Sequence, residues 1–150
     1  MAGSYISAYV HYVFSTKNHR NQIAPDLESR LWAYMGGIAR QYKMKALAIN
    51  GTDDHAHLLV SLPSTISIAK AIQLIKGNSS KWVHDTFPKY KNFEWQDGYG
   101  AFTVSYSQIE KVITYIKNQK EHHRKLTFQE EFLRVLKKHN IEYDERYIWK

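Results

Sequence analysis

Apolar residues follow two different periods along this chain, and each period predicts one kind of element. Four stretches are typical of β-strands because they are rich in β-branched and aromatic residues or alternate with period two. These are residues 5–15, 44–50, 55–62 and 101–105. Three stretches carry apolar residues at helical spacing, namely residues 25–42, 67–86 and 108–123. A fourth helix is predicted to begin at Thr127, which has the spacing of a capping box with Glu130.

The order of these elements predicts a fold class. Strand, helix, strand, strand, helix and strand follow one another, and two helices come after them. This β-α-β-β-α-β order is that of the ferredoxin-like, split βαβ arrangement, an α+β fold with one antiparallel sheet and helices on one face. We therefore expect such a sheet with additional C-terminal helices, and we expect its second face to be free for a ligand.

Length and composition narrow the class of protein. The 150 residues fit one domain, residues 1–150, and zero cysteines exclude a disulfide framework and any thiolate metal site. No signal peptide or apolar stretch of membrane-spanning length is present, so we expect a soluble, cytoplasmic protein without a membrane partner. A formal net charge of +7 favours a polyanionic partner such as nucleic acid, although many basic proteins bind nothing acidic.

Two histidines separated by one residue stand at the start of the third predicted strand. Alternate side chains of a strand share a face, so His55 and His57 lie side by side, with Cα atoms about 6.5 to 7 Å apart. That distance allows both imidazoles to bind one metal ion. Half-buried, hydrogen-bonded rings without a metal are the alternative interpretation.

The third predicted helix offers a further ligand and a nucleophile. Tyr115, Gln119 and His122 fall along one flank of this helix, at spacings of four and three residues. The amide oxygen of Gln119 can bind a hard cation, and the hydroxyl of Tyr115 can attack phosphorus once it is deprotonated. Each residue also has a simpler reading, in which Tyr115 packs in the core and His122 and His123 are polar residues at a helix end.

Together these motifs resemble the insertion-sequence-200-like, single-tyrosine transposases of the HUH class, in which two histidines flank an apolar residue. His55-Ala56-His57 resembles the histidine motif, and the segment from Tyr115 to Gln119 followed by His122-His123 resembles the tyrosine helix. The resemblance extends to several other segments. These are Trp95-Gln96 with Gly98-Tyr99, residues 128–132 and residues 141–144.

The resemblance implies an enzyme that cuts and rejoins single-stranded DNA. By position, His55, His57 and Gln119 would bind magnesium or manganese (Mg²⁺ or Mn²⁺), which would polarise the phosphate. Tyr115 would be the nucleophile that forms a 5′-phosphotyrosine bond and frees a 3′-hydroxyl. Rejoining would need no nucleotide cofactor, because the phosphotyrosine ester keeps the energy of the broken bond.

The resemblance also implies partners. Family members recognise DNA hairpins at the ends of a mobile element, and they are homodimers whose composite active sites take the histidines from one subunit and the tyrosine helix from the other. Asn118-Gln119 stands where the group associated with repeated extragenic palindromes usually has Asn-Pro, which favours the mobile-element branch of prokaryotes. Candidate contacts to DNA phosphates are the basic residues Arg40, Lys43, Lys45, Lys70, Lys76 and Lys81.

Two functions of other classes stay open at this point. A non-catalytic protein that binds DNA or RNA hairpins would need the basic charge but no metal. A small zinc hydrolase would use His55 and His57 with a further ligand and a water nucleophile, and would not need Tyr115.

Overall fold

The computed structural model describes residues 3–150 and contains a four-stranded antiparallel sheet. The strands are β1 (Tyr9–Ser15), β2 (Lys45–Gly51), β3 (His55–Ser61) and β4 (Gly100–Val104), in the spatial order β2-β3-β1-β4. The α-helices of the described residues are α1 (Pro25–Gln41), α2 (Ile68–Thr86), α3 (Ile109–Lys117), α4 (Gln119–Lys125) and α5 (Phe128–Lys138). This is the α+β architecture that the order of elements predicts.

The larger core lies between the sheet and the helices α1 and α2. Alternate residues of β3, Ala56, Leu58 and Val60, are fully buried in this core. The buried positions of α1 recur at helical spacing from Leu27 to Met35 and face the same layer. Burying a leucine side chain stabilises the fold by about 1.5 to 3 kcal/mol, so this apolar layer fixes which face of β3 points inward.

The second face of the sheet is covered, and the expectation that it is free for a ligand is wrong. Helix α3 packs Ile109 and Ile116 against Leu59 of β3. Helix α5 packs Phe128 and Phe132 in a cluster with Val13 and Phe102 from the central and edge strands. Both helices are amphipathic, and the apolar residues on this face give them a surface on which to bury their apolar stripes.

The first strand is shorter than its sequence predicts. It begins at Tyr9, where pairing with Ser61 of β3 starts, whereas the prediction began at residue 5. Tyr5 is 94% exposed and Ile6 is 55% exposed, so these two side chains have no layer to pack against. Strand propensity reports how well a side chain fits a half-buried sheet, and this segment lies outside one.

The predicted helix 108–123 is divided into two. Helix α3 ends at Lys117, Asn118 has a non-helical backbone (φ −97°, ψ 22°), and α4 begins at Gln119. The side chain of Asn50, on β2, donates hydrogen bonds to the carbonyls of Ile116 (3.0 Å) and Lys117 (3.1 Å). These carbonyls are therefore satisfied from outside the helix, which allows the chain to turn at Asn118.

Across residues 3–150, every helix falls short of the length or the hydrophobicity that crossing a lipid bilayer requires.

Candidate metal and tyrosine site

Strands β1 and β3 place three imidazoles together on the covered face of the sheet. His55 and His57 share this face as predicted, and their rings lie 5.2 Å apart. His11 comes from the neighbouring strand β1, and its Nε2 lies 2.9 Å from Nδ1 of His57. Burial lowers the pKa of His11 to about 3, so its ring is neutral near pH 7. A neutral His11 ring has one N–H and one lone pair, so Nε2 of His11 and Nδ1 of His57 can share one hydrogen, with the direction set by the tautomers.

His55 is oriented by the turn that precedes it. Its Nδ1 lies 2.7 Å from Oδ1 of Asp54 and 2.9 Å from the hydroxyl of Thr52. Burial opposes ionisation of Asp54, but hydrogen bonds from His55 and Thr52 hold the pKa of Asp54 below its ordinary value. An ionised Asp54 accepts a hydrogen from Nδ1 of His55. Nε2 of His55 is then left with a lone pair that points into the site.

The turn itself depends on a glycine at the end of β2. A Cβ atom at Gly51 would lie 2.1 Å from the carbonyl oxygen of His55, which is far inside van der Waals contact. Glycine has no Cβ, so the β2–β3 hairpin can close tightly at this point, and His55 lies directly after the turn.

Gln119 reaches the same histidine from the start of α4. Its amide oxygen lies 3.1 Å from Nε2 of His55, and the residue is fully buried. Two hydrogen-bond acceptors face each other here when His55 carries its hydrogen on Nδ1, and a cation between them would satisfy both. The amide nitrogen of Gln119 has no partner within residues 3–150, although a buried donor without a partner is costly.

Glu131, on α5, completes the cluster, and sequence reasoning gave it no role. Its Oε1 lies 2.9 Å from Nε2 of His57 and 3.6 Å from Nε2 of His55. Its Oε2 accepts a hydrogen bond of 2.6 Å from the hydroxyl of Tyr115. Burial opposes ionisation, but hydrogen bonds from His57 and Tyr115 and the charge of His57 lower the pKa of Glu131 to about 2.

Tyr115 lies beside the histidines of its own chain. Its ring centroid is 5.7 Å from that of His57 and 4.5 Å from that of His122. Burial and the charge of Glu131 raise the pKa of Tyr115 well above its ordinary value, so the hydroxyl keeps its proton in this arrangement. Tyr115, Gln119 and His122 stay close together, as their spacing predicts, although the helix is broken between the first two.

The residues brought together form a donor set for a hard or borderline cation. One ligand atom from each of His55, His57 and Glu131 lies within 4.8 Å of the others, and the amide oxygen of Gln119 contacts His55. Two imidazole nitrogens with carboxylate and amide oxygens suit manganese and magnesium as well as zinc. His123 belongs to a second possible group, with Asp54 and His55, which shares His55 with the first.

The basic residues singled out in the sequence lie away from the histidines. Most belong to α1, α2 or the strand that follows α1, and these helices cover the opposite face of the sheet. Lys76 donates hydrogen bonds to the carbonyls of Gln96 (2.6 Å) and Gly98 (2.8 Å), and Lys81 pairs with Asp85 at 2.6 Å. The remaining members of the set have exposed side chains, and they are Arg40, Lys43, Lys45 and Lys70.

Comparison with known proteins identifies relatives of this chain. Residues 4–119 match the family model described as "Transposase IS200 like". The chain is 28% identical over 116 residues to proteins named transposase for insertion sequence element IS200 from Salmonella typhimurium and Salmonella typhi. Each alignment covers 74% of this chain and 76% of the relative.

Two solved structures are similar in fold. A candidate transposase from Deinococcus radiodurans has a TM-score of 0.63 at 22% identity, covering 79% of this chain and 96% of that one. A REP-associated tyrosine transposase bound to a REP hairpin has a TM-score of 0.60 at 16% identity, covering 82% of this chain and 73% of that one. At these identities the likeness concerns the fold alone.

Proposed function

Because this chain belongs to the IS200-like transposase family, we propose that it cleaves and rejoins single-stranded DNA at hairpin-bearing element ends, with Tyr115 as the nucleophile. One observation carries this proposal. The carboxylate of Glu131 accepts a hydrogen bond from the hydroxyl of Tyr115 through one oxygen and contacts His57 through the other. The candidate nucleophile and the candidate cation-binding cluster thus share one group, which keeps the tyrosine beside the place where a metal would polarise a phosphate.

The cleavage step transfers a phosphoryl group to the tyrosine. Oη of Tyr115 attacks phosphorus, the bond from phosphorus to O3′ breaks, and the downstream strand stays attached through a 5′-phosphotyrosine ester. The hydroxyl proton of Tyr115 passes to Oε2 of Glu131 only as the oxygen bonds to phosphorus, because that bond makes the proton strongly acidic, and O3′ takes up one proton to leave as a hydroxyl. Attack of a 3′-hydroxyl on the ester reverses these steps, so rejoining needs no nucleotide cofactor.

The residues of the cluster fit a divalent cation, and we propose that His55, His57, Gln119 and Glu131 would hold it. When bound, magnesium or manganese would polarise the scissile phosphate and favour the ionised form of the tyrosine. The buried contacts of Asp54 with His55 and of His11 with His57 orient the two ligand rings.

We propose that hairpins bind through exposed basic residues of α1, of α2 and of the segment from α1 into β2, with Arg40, Lys43, Lys45 and Lys70 as contacts to phosphates. Lys76 and Lys81 belong to the same set and would first have to leave their present partners. A solved structure of similar fold is described as a transposase bound to a REP hairpin, which supports hairpin binding in general. We further propose a homodimer in which α3 is exchanged, so that the contacts of Tyr115 form between two subunits.

The test is the formation of a covalent protein–DNA adduct. Labelled single-stranded DNA with a hairpin is incubated with the protein and magnesium or manganese, and a labelled protein band is sought after denaturation. We expect an adduct that disappears with EDTA and in Tyr115→Phe. His57→Ala should also lose the adduct but keep hairpin binding, because phosphate contacts drive that binding.

The rival functions give different results in the same experiment. A hairpin-binding protein without catalysis would bind independently of metal and form no adduct. A zinc hydrolase would release cleaved DNA without an adduct, and Tyr115→Phe would retain its activity. Either result from the unmodified protein would overturn the proposed mechanism.

A further inference from the structure

A groove runs from the candidate site to the surface between α3 and α5. Its volume is about 850 Å³, and strand β4 contributes Phe102 and Val104 to its wall. Tyr115, Glu131 and His11 line one part of it, so the groove is continuous with the tyrosine and the metal-binding cluster. Clefts of roughly 300 to 1,000 Å³ accommodate small ligands, which suits a short unpaired strand of DNA better than a double helix.

The charged side chains that line the groove change from acidic to basic along α5. Glu131, Arg134 and Lys138 all line the groove at spacings of three and four residues, so they lie along one face of this helix. Lys138 lies roughly 10 Å further along the helix axis than Glu131, at a rise of 1.5 Å per residue. One face of α5 therefore carries an acid at the candidate site and bases leading away from it.

Helix α3 adds a third base on the facing wall. Lys111 lines the groove, and its side chain is exposed, as are those of Arg134 and Lys138. Within the described part of the chain, residues 3–150, none of these three bases lies within ion-pair distance of a carboxylate. Their charges are available to a ligand, and several phosphates on one strand would match them.

The walls between the bases are apolar. Val112 of α3 and Val135 of α5 line the groove, and the ring of His139 packs at 4.6 Å from that of Phe102 near the outer end of α5. Apolar and aromatic walls with a basic rim are the features that bind single-stranded nucleic acid, because bases contact the walls while phosphates meet the cations.

We propose that this groove binds the single-stranded DNA segment that adjoins the cleaved phosphate, with Lys111, Arg134 and Lys138 contacting its phosphates. The inference rests on the proposed function and adds a path for the substrate that leads to Tyr115. Two of these bases and Glu131 lie beyond residues 4–119, the part of the chain that matches the family model.

The experiment measures binding by two labelled oligonucleotides. One is a hairpin with a single-stranded tail that contains the cleavage site, and the other is the same hairpin without the tail. The full-length protein carries Tyr115→Phe, so that binding is measured without cleavage. The test variant adds Arg134→Gln with Lys138→Gln, and the matched control adds Lys137→Gln, a neighbouring exposed residue of α5 that does not line the groove.

We expect the test variant to bind the tailed hairpin about ten-fold more weakly at 0.15 M salt. The slope of log affinity against log salt concentration should fall by about 1.4, because each lost phosphate contact on a single strand removes about 0.7. Binding of the tail-free hairpin should be unchanged. The control should behave like the parent protein on both oligonucleotides, and thermal melting should show that all variants are folded.

Three results would overturn the inference. Unchanged affinity and salt slope for the tailed hairpin would show that the groove does not bind the strand. Equal weakening on both oligonucleotides would place the hairpin itself in the groove. Equal weakening by Lys137→Gln would show that the effect comes from the overall positive charge of the protein and not from contacts in the groove. The proposed function fails separately, by the absence of any covalent adduct from the protein with Tyr115 intact.

Discussion

At Glu131, one carboxylate faces the hydroxyl of Tyr115 and the histidine pair at once. This residue lies among apolar neighbours of α5, between Phe128 and Phe132, and it is 5% exposed. A buried carboxylate is costly unless it is hydrogen-bonded and paired, and here both oxygens have such partners. An acid on this apolar stripe is therefore accommodated by its contacts with His57 and Tyr115.

Replacing Glu131 with glutamine tests this role. Glu131→Gln keeps the size of the side chain and can still contact Tyr115, but it removes the negative charge. We expect adduct formation to slow by roughly 10²-fold or more, since positioned acid–base groups contribute on that order. Added manganese should restore part of the rate if the charge helps to hold the cation, and hairpin binding should not change.

The matched control for this variant is Glu130→Gln. Glu130 is exposed and forms the capping box with Thr127, an arrangement that glutamine preserves. This control should form adduct at the rate of the unmodified protein. Cleavage by Glu131→Gln at the unmodified rate, at every manganese concentration, would remove Glu131 from the site.

At the scale of elements, the break between α3 and α4 lies between Tyr115 and Gln119 and lets their side chains take different partners. An unbroken helix would keep these residues one turn apart on one face. With the break, Gln119 is fully buried and contacts His55, while Tyr115 contacts Glu131. The side chain of Asn50 stabilises the break because it donates to the last carbonyls of α3.

Asn50→Ala should therefore lower both stability and activity. Loss of two hydrogen bonds at a partly exposed position is expected to reduce the free energy of unfolding by about 1 to 2 kcal/mol. Adduct formation should decline further than stability alone explains, because Gln119 loses its fixed position. Urea unfolding and the adduct assay measure the two effects.

Asn92→Ala is the control for the Asn50 variant, because Asn92 has an exposed side chain in a loop. Its free energy of unfolding should stay within about 0.5 kcal/mol of the unmodified protein. An Asn50→Ala protein with unmodified stability and activity would show that the turn at Asn118 does not depend on these hydrogen bonds.

At the scale of the whole molecule, the sheet separates a core that supplies stability from a face that carries the candidate chemistry. Tyr12 lies on the side of the sheet that faces the larger core. It is fully buried, its hydroxyl donates a hydrogen bond of 2.8 Å to the carbonyl of Ile68, and burial raises its pKa above the ordinary value. Replacing Tyr12 therefore isolates one contribution to stability at alkaline pH without disturbing the site.

Tyr12→Phe should change the pH dependence of stability. A tyrosine whose pKa is raised on folding contributes stability that is present below about pH 10, the pKa of the unfolded chain, and lost above it. At neutral pH the variant should be about 1 kcal/mol less stable, for want of the hydrogen bond. By pH 11 ionisation of the unfolded tyrosine costs the unmodified protein about 1.4 kcal/mol, so the two stabilities should converge. A constant difference from pH 8 to pH 11, measured by urea unfolding, would contradict this.

Assembly is tested by mixing two inactive proteins, His57→Ala and Tyr115→Phe, under conditions that allow subunits to exchange. In the proposed dimer, a mixed pair has one intact set of histidines facing one intact tyrosine, so adduct formation should return in part. Within a single chain the structure also brings Tyr115 to its own Glu131. If active sites form only in this way, no mixture will form adduct. Native mass spectrometry establishes whether the subunits have exchanged.

The parts of the fold and site that the sequence predicted are those governed by local periodicity. Alternation along β3 placed His55 and His57 on one face and Leu58 on the other, and the structure agrees. The spacing of four predicted that Tyr115 and Gln119 lie close together, which they do, although a break at Asn118 that the spacing did not predict lies between them. The order of elements likewise predicted the sheet, since sequential strands joined by a short turn pair with each other.

Only the tertiary structure decided what covers the histidine face and which residues complete the site. His11 and Glu131 lie 46 and 74 residues from His57 along the chain, and no period in the sequence connects them. An acid within the apolar stripe of α5 was a signal that Glu131 is buried, but its partner depends on where that helix packs. Local periodicity sets which side chains share a face of one strand or helix. Which faces meet is set by burial of apolar surface between elements distant in the chain, here Phe128 and Phe132 against Val13 and Phe102.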